Sequence, residues 1–417
     1  MLTTMSTFAL TELLGAPVLD AAGKTAGHLR ELVLSPQEDR ARVSSFIVKT
    51  KSGDRMLPFQ GIISVNGGVK VSSSPEDWKK SDGTEGYFFL SRDLLDQQVI
   101  DVHGRKVVRV NDVDLHEEVQ DHRVVLKVEA VDVGVRGAVR RLLKGVVPLP
   151  ALKTLLRQLP ERPIPWDFVD LIETDPARRV KLKISHDRLA KLHPADIADI
   201  IEELAPDERE AVFETLDEEV AAGALEEVDP KVQKAIVESL DSDRVAGIVE
   251  EMEPDAAADL LADLPEERSS QILKEMAPAE REEVTELLEF KENTAAGRMN
   301  PDFLSLDLNA TVEEAIGALR DFEGGVETVN TLYLVDSRGI LAGAVPLMQL
   351  VMAKPEDRLL SLTQEPLVSC QERTNDLEVA ELFDKYNLLT LPVLDDEKKL
   401  IGVITSDDVI SMLRSKL

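Results

Sequence analysis

Asp255 and Asp259 stand four residues apart in Pro254-Asp255-Ala256-Ala257-Ala258-Asp259, a spacing that puts both carboxylates on one face of a helix. Carboxylates so placed suit a hard divalent cation, which takes oxygen ligands and, when small, keeps several of its waters. They lie in the most acidic part of the chain. Residues 193–290 hold 31 Asp and Glu against 7 Lys and Arg, which is 24 of the net charge of −31. Such a density repels itself unless something positive binds. In so acidic a stretch, an i, i+4 pair also arises as plain solvated surface. A second candidate is Thr405-Ser406-Asp407-Asp408, where Thr-x-x-Asp suits the start of a helix.

Other chemistries lack their residues. The six histidines (His28, His103, His116, His122, His186 and His193) form no HExxH or other metal-ligand spacing, and no GxSxG, Walker A or GxGxxG occurs. The lone cysteine, Cys370, excludes a disulfide framework or a CxxC pair; its apolar surroundings read as core. No catalytic activity is expected. The pI near 4.6 argues against phosphate backbones as partners, and 4% aromatic residues argues against stacking on single strands. The N-terminus shows no signal peptide, and the longest weakly polar run, 339–353, falls short of the ~20 apolar residues a membrane helix needs. A soluble, cytoplasmic protein is expected.

The elements that must carry these residues fall into several domains, as 417 residues suggest. Residues 7–150 read as short Val- and Ile-rich strands with Gly and Asp turns. Val18-Leu19-Asp20-Ala21-Ala22-Gly23-Lys24 returns 81 residues later as Val99-Ile100-Asp101-Val102-His103-Gly104-Arg105, each followed by a strand with an acidic centre, Glu31 or Asp112. Two small β-barrels are expected, at 7–85 and 86–150. Residues 151–190 read as a connector; Pro148, Pro150, Pro160, Pro163 and Pro165 and the basic Arg178, Arg179, Lys181 and Lys183 fall in or beside it.

A repeat of period 24 follows. Glu202-Glu203-Leu204-Ala205-Pro206 recurs at Glu226–Pro230, Glu250–Pro254 and Lys274–Pro278, so each unit holds two helices of about ten residues with Pro in the first turn. Helices this short hold only by stacking. An acidic helical domain is expected over 191–290. The last part, 291–355 and 356–417, contains two copies of a helix followed by paired strands: Thr311-Val312-Glu313-Glu314 leads to Thr331–Asp336 and Leu341–Val345, and Thr374-Asn375-Asp376 leads to Leu391–Asp395 and Leu400–Ile404. The fold class is multidomain α+β.

The front half resembles PRC-barrel domains, and the two C-terminal copies resemble a CBS pair. The order of acidic helical repeat, Thr294-Ala295-Ala296-Gly297-Arg298-Met299 and CBS pair resembles the cytosolic region of MgtE-type magnesium transporters over about 190–417. The resemblance implies a Mg²⁺-responsive regulator. In that family a membrane domain follows the CBS pair, so transport by this polypeptide alone is not expected. It further implies Mg²⁺ bridging Asp255 and Asp259 to Asp408 and to Asp384. Gly223 and Asn387 stand where the family has Glu and Asp; Glu226, Glu227 and Asp384 are the nearest substitutes. Gly402-Val403-Ile404-Thr405-Ser406-Asp407-Asp408 also resembles an adenosine-nucleotide site, with Thr405 and Asp408 as contacts for ATP or AMP, whereas the first copy, Gly343–Gln349, lacks both. A homodimer through the CBS pair and a docking partner for the PRC-like part are implied as well. The alternative is an interaction scaffold that binds no ligand.

Overall fold

The computed structural model describes residues 7–35, 39–65, 68–81, 87–120, 123–143, 156, 159–173, 175, 177, 186–291, 293–322, 324 and 328–414. The basic residues Arg178, Arg179, Lys181 and Lys183, and Pro148 and Pro150, lie outside the described residues. Residues 1–236 and 237–417 form two compact units.

In the first unit, one sheet runs in the order Ile62–Ser64, Val69–Val71, Pro17–Leu19, Thr25–Leu34, Val43–Thr50, Gly53–Pro58, Lys79–Lys80. A second runs Thr7–Ala9, Asp112–Gln120, Arg123–Asp132, Pro163–Pro165, and a third Lys106–Arg109, Gln98–Asp101, Val169–Leu171. Neither of the longer paths closes into a barrel among the described residues. The two repeats exchange their leading segments instead. Strand Thr7–Ala9 pairs antiparallel with Asp112–Gln120 of the second copy, while Phe88–Phe89 pairs with Thr25–Leu34 of the first. A single core follows, holding Leu10, Leu32 and Phe46 together with Val99, Leu115, Val131 and Trp166. Part of the expected connector belongs to this body. Ile164 is the inward residue of an edge strand flanked by Pro163 and Pro165, a place where the missing N–H costs nothing.

The acidic strand centres now have a reason. Glu31 accepts hydrogen bonds from the backbone N–H groups of Ser91 (2.8 Å) and Arg92 (3.1 Å), at the start of the one-turn helix Leu90–Asp93 that the second copy contributes. Asp112 does the same for Thr11 in the helix Leu10–Leu13, through its backbone N–H (3.1 Å) and its hydroxyl (2.5 Å). Each acid satisfies orphan donors of a helix start from the other repeat.

Asp170, on Val169–Leu171, is buried and accepts from Leu189 N at 3.3 Å. Burial pushes its carboxyl up to about 6, against the pull of Arg188 and Arg40. A raised folded pKa contributes stability that is present below the unfolded value and is lost as pH rises through about 6. The urea midpoint of the first unit therefore rises as pH falls from 7 towards 5, this group adding about 1 kcal/mol of unfolding free energy over that range. Asp170→Asn flattens that dependence.

The helical repeat appears as eight helices among the described residues, from Pro194–Glu203 to Pro278–Leu288. Pro206, Pro230, Pro254 and Pro278 each open a helix, as the period required, and Pro194, outside that period, opens the first. Helices Pro194–Glu203 and Glu218–Glu227 pack together in the first unit. Gly223 explains itself there: a Cβ would stand 3.3 Å from Pro194 Cγ, so the position is one of tight helix packing. Arg105 Nη1 to Asp196 (2.8 Å) and Val107 N to Glu203 (2.8 Å) tie the first helix to the second β-repeat.

The second unit holds helices Ser242–Glu250, Pro254–Ala262, Glu266–Glu275 and Pro278–Leu288, then the two α/β copies. In each copy a short strand runs parallel to the first strand of a hairpin: Ser305–Asp307 beside Thr331–Val335 and Leu341–Pro346, and Cys370–Gln371 beside Thr390–Leu394 and Leu400–Thr405. Thr311 and Glu314 form a capping box at Val312–Arg320, and Asn375 accepts from Glu378 N at Asp376–Tyr386. Buried Tyr333 donates its hydroxyl to Thr390 Oγ1 (2.9 Å), joining the copies through a shared core with Leu400 and Val403.

A carboxylate cluster in the second unit

Pro254 opens the helix Pro254–Ala262 and places Asp255 in its first turn, with Ala257, Ala258, Leu260 and Leu261 on the buried face. Asp259 follows one turn later. The strand Leu400–Thr405 ends where the helix Ser406–Arg414 begins, and Asp408 lies in that first turn. Asp408 Oδ2 accepts from Thr405 N (3.0 Å) and from Thr405 Oγ1 (2.5 Å), so Thr-x-x-Asp closes the helix start, as its spacing suggested.

The two aspartates of the helix Pro254–Ala262 and Asp408 are brought together. Burial raises the Asp255 carboxyl well above the usual range, and the nearby charges of Asp408, Glu253 and Asp259 raise it further. Asp255 Oδ1 is buried and has no hydrogen-bond partner among the described residues. Asp408 is pushed up to about 6, by burial first, with Asp407 and Asp259 adding to the rise against the Thr405 hydrogen bonds. A buried, unbonded carboxylate oxygen beside further negative charge is an arrangement that a cation stabilises.

Two residues at the start of the first CBS copy meet this cluster: Arg298, part of the quoted run Thr294–Met299 but given no role from sequence, and Asn300, which sequence reasoning did not single out. Arg298 Nη1 donates to Asp259 Oδ2 at 2.5 Å, with the Asp259 side chain half exposed. Buried Asn300 donates its Nδ2 to Glu253 Oε2 (3.0 Å) while its backbone pairs in both directions with Val403. The approach is close: a Cβ on Gly402 would stand 2.6 Å from Met299 Sδ. A small cavity of about 90 Å³ lies beside the cluster, lined by Asp255, Asp259, Ala258, Ala296, Gly297 and Met299.

Asp384 is not brought into this group; it lies on the exposed face of the helix Asp376–Tyr386. Asn387 caps that helix in the left-handed region (φ 51°), where Asn is tolerated better than most residues. Among the described residues no three His, Cys, Asp or Glu side chains stand close enough to enclose a bare metal ion. The residues present fit instead a cation that keeps its waters and meets Asp255, Asp259 and Asp408 from outside that shell. Thr405 is buried and its hydroxyl is engaged by Asp408.

A helical domain of paired short helices, joined through a close-packed segment to a pair of α/β copies with carboxylates at the junction, defines the class of protein by its fold. The comparisons agree. The model of the MgtE intracellular N domain matches residues 192–293, and that of the CBS domain matches 360–415. The magnesium transporter MgtE of Thermus thermophilus is 35% identical over 136 residues, 33% of this chain and 30% of that protein. The crystal structure of the cytosolic domain of the Mg²⁺ channel MgtE in complex with ATP superposes with a TM-score of 0.52 at 30% identity, covering 56% of this chain and 94% of that one. The soluble part of a magnesium transporter has the same fold, with a TM-score of 0.52 at 24% identity over 55% of this chain and 91% of that one. The chain belongs to the family of the MgtE cytosolic region, by its N domain and CBS pair. It spans about a third of the length of the curated relatives it matches, and no helix among the described residues is long and apolar enough to cross a membrane.

Proposed function

We propose that this chain is a magnesium-responsive regulatory protein of the cytoplasm, in which a hydrated divalent cation bridges Asp255 and Asp259 of the helical domain to Asp408 of the second CBS copy. The observation that carries this reading is the buried, unpartnered Asp255 Oδ1 set among Asp408, Glu253 and Asp259. Its relatives bear the name of magnesium transporters. Without a cation the carboxylates repel one another; with one, the joined arrangement is favoured, and occupancy sets the population. Arg298 serves as the resident counter-charge on Asp259, and a bound cation competes with it. Asp384 lies apart on its helix and has no part in this bridge. Calorimetric titration of the full chain with Mg²⁺ tests the reading. Heat that saturates, and that disappears in Asp255→Asn/Asp408→Asn, supports it; no heat, or equal heat in that variant, refutes it.

A second reading has its own support. A structure 30% identical was crystallised with ATP, and Thr405 and Asp408 stand at the strand–helix junction of the second copy. ATP or AMP would take the Thr405 hydroxyl and Asp408 from their mutual hydrogen bond. Saturation by nucleotide in Asp255→Asn, without need of Mg²⁺, favours this reading over the first.

The partner of the CBS pair is proposed to be a second copy. Met348, Val351 and Met352 on one short helix and Ile410 and Leu413 on the last are exposed large apolar residues. Exposed apolar surface of this kind marks an interface. Val351→Glu/Ile410→Glu halves the molar mass read by light scattering; an unchanged mass places the contact elsewhere. The first unit, with its PRC-like repeats, is proposed to dock a further protein.

A further inference from the structure

Arg298 is the one basic residue between Lys291 and Arg320, and it stands where the carboxylates gather. Its place does not depend on its side chain. The turn Ala296–Arg298 is pinned to the second CBS copy by backbone bonds at both ends. Ala295 N donates to Thr374 O (2.7 Å) and Ala296 N to Glu372 O (3.0 Å), while Asn300 and Val403 exchange bonds in both directions (2.8 and 2.9 Å). From that fixed backbone two side chains reach the helical domain. Asn300 meets Glu253 with a neutral amide, whereas Arg298 brings a full charge to Asp259.

The ion pair is one that can be given up. Among the described residues it rests on a single hydrogen bond, Nη1 to Oδ2 at 2.5 Å, and the Arg298 Nε is buried without an acceptor. The two-pronged fork, the strong form of such a pair, is not made. The Asp259 side chain is half exposed, so a hydrated ion reaches it from solvent, and pairs this exposed are weak. A dication nevertheless meets the guanidinium as a rival. Held on a fixed backbone, it keeps a high local concentration beside Asp259 however little Mg²⁺ is present. Two cations at one carboxylate repel each other.

We propose that Arg298 is a tethered competitor that sets the Mg²⁺ concentration at which the carboxylate cluster fills. The inference rests on the magnesium reading above and assigns its threshold. In the metal-free protein the guanidinium neutralises Asp259. When the ion arrives, Arg298 leaves Asp259 for solvent while the backbone bonds of its turn hold. The free energy of that exchange is subtracted from ion binding, so the cluster answers to abundant divalent cation and stays empty at trace levels.

Two measurements on the full chain test this. Calorimetric titration with Mg²⁺ compares wild type with Arg298→Gln. The variant is expected to half-saturate at about one-tenth of the wild-type concentration, the scale of removing one positive charge beside a partly exposed site. A misfolded variant cannot bind more tightly, so this sign separates competition from damage. Phenylglyoxal labelling of the wild type, located by peptide mass spectrometry, follows the guanidinium itself. Labelling of Arg298 is expected to rise along the same curve as the heat, because displacement and binding are reciprocal. Equal or weaker Mg²⁺ affinity in Arg298→Gln overturns the competitor alone, and so does labelling that stays level or falls as the site fills. A wild type that takes up no Mg²⁺ overturns the magnesium reading and the competitor together.

Discussion

Asp112→Ala lowers the stability of the first unit by ~3–5 kcal/mol, because it strands a buried guanidinium. Asp112 is fully buried and answers four donors: Thr11 through its N–H and its hydroxyl, Val113 N (2.9 Å), and Arg140 Nη1 (2.7 Å). Removing the carboxylate leaves Arg140 charged without its partner. It also leaves the helix Leu10–Leu13 uncapped, and so loosens the segment that one repeat lends to the other. Asp112→Leu combined with Arg140→Met recovers part of the loss by removing the charge as well. Recovery stays incomplete, since Thr11 N still lacks an acceptor. Urea unfolding followed by circular dichroism reads all three proteins. A cost below about 0.5 kcal/mol for Asp112→Ala, the range of an ordinary surface change, contradicts this account.

Asp255→Asn acts in the opposite direction on the metal-free protein. The wild-type carboxylate is buried, unbonded on one oxygen, and repelled by Asp408, Glu253 and Asp259. Neutralising it relieves the repulsion and lets an amide nitrogen donate to a neighbouring carboxylate. A gain of ~1–3 kcal/mol is expected in chelator, the scale on which an unsatisfied buried polar group is penalised. The same substitution removes the stabilisation that added Mg²⁺ gives, because a ligand stabilises only in proportion to its affinity for the folded form. Thermal unfolding in chelator and in excess Mg²⁺ shows both effects as a higher first midpoint and a smaller difference between the two. A lower midpoint in chelator means that Asp255 is a structural acid and not part of a cation site.

How much of this was legible depended on whether the cause was local. The helices of the acidic region announced themselves because every second one opens on a Pro repeated every 24 residues, and the prolines sit in the first turns where their missing N–H is harmless. Thr405 and Asp408 were legible as a helix start for the same reason, since both partners of the hydrogen bond lie within four residues. The strand exchange in the first unit was not legible. Thr7–Leu13 has the pattern of a strand and a turn of helix, but nothing in that pattern tells which copy it joins. Glu31 and Asp112 were visible as acids at strand centres, and only the exchange explains why apolar strands tolerate them. Ile164 and its flanking prolines read as a connector, because an edge strand of three residues carries no periodicity. At the carboxylate cluster, Asp255, Asp259 and Asp408 were named from sequence and resemblance. Arg298 was not, because its partner lies 39 residues away and Arg in a polar segment has many possible uses.

Hydrogen exchange of the full chain, in chelator and in millimolar Mg²⁺, tests the bridge most directly. If one hydrated cation holds both sides, Mg²⁺ slows exchange in the helix Pro254–Ala262 and in the first turn of Ser406–Arg414 together, and Asp255→Asn abolishes the slowing at both. Exchange that is unchanged by Mg²⁺, or slowed on one side alone, contradicts the bridge.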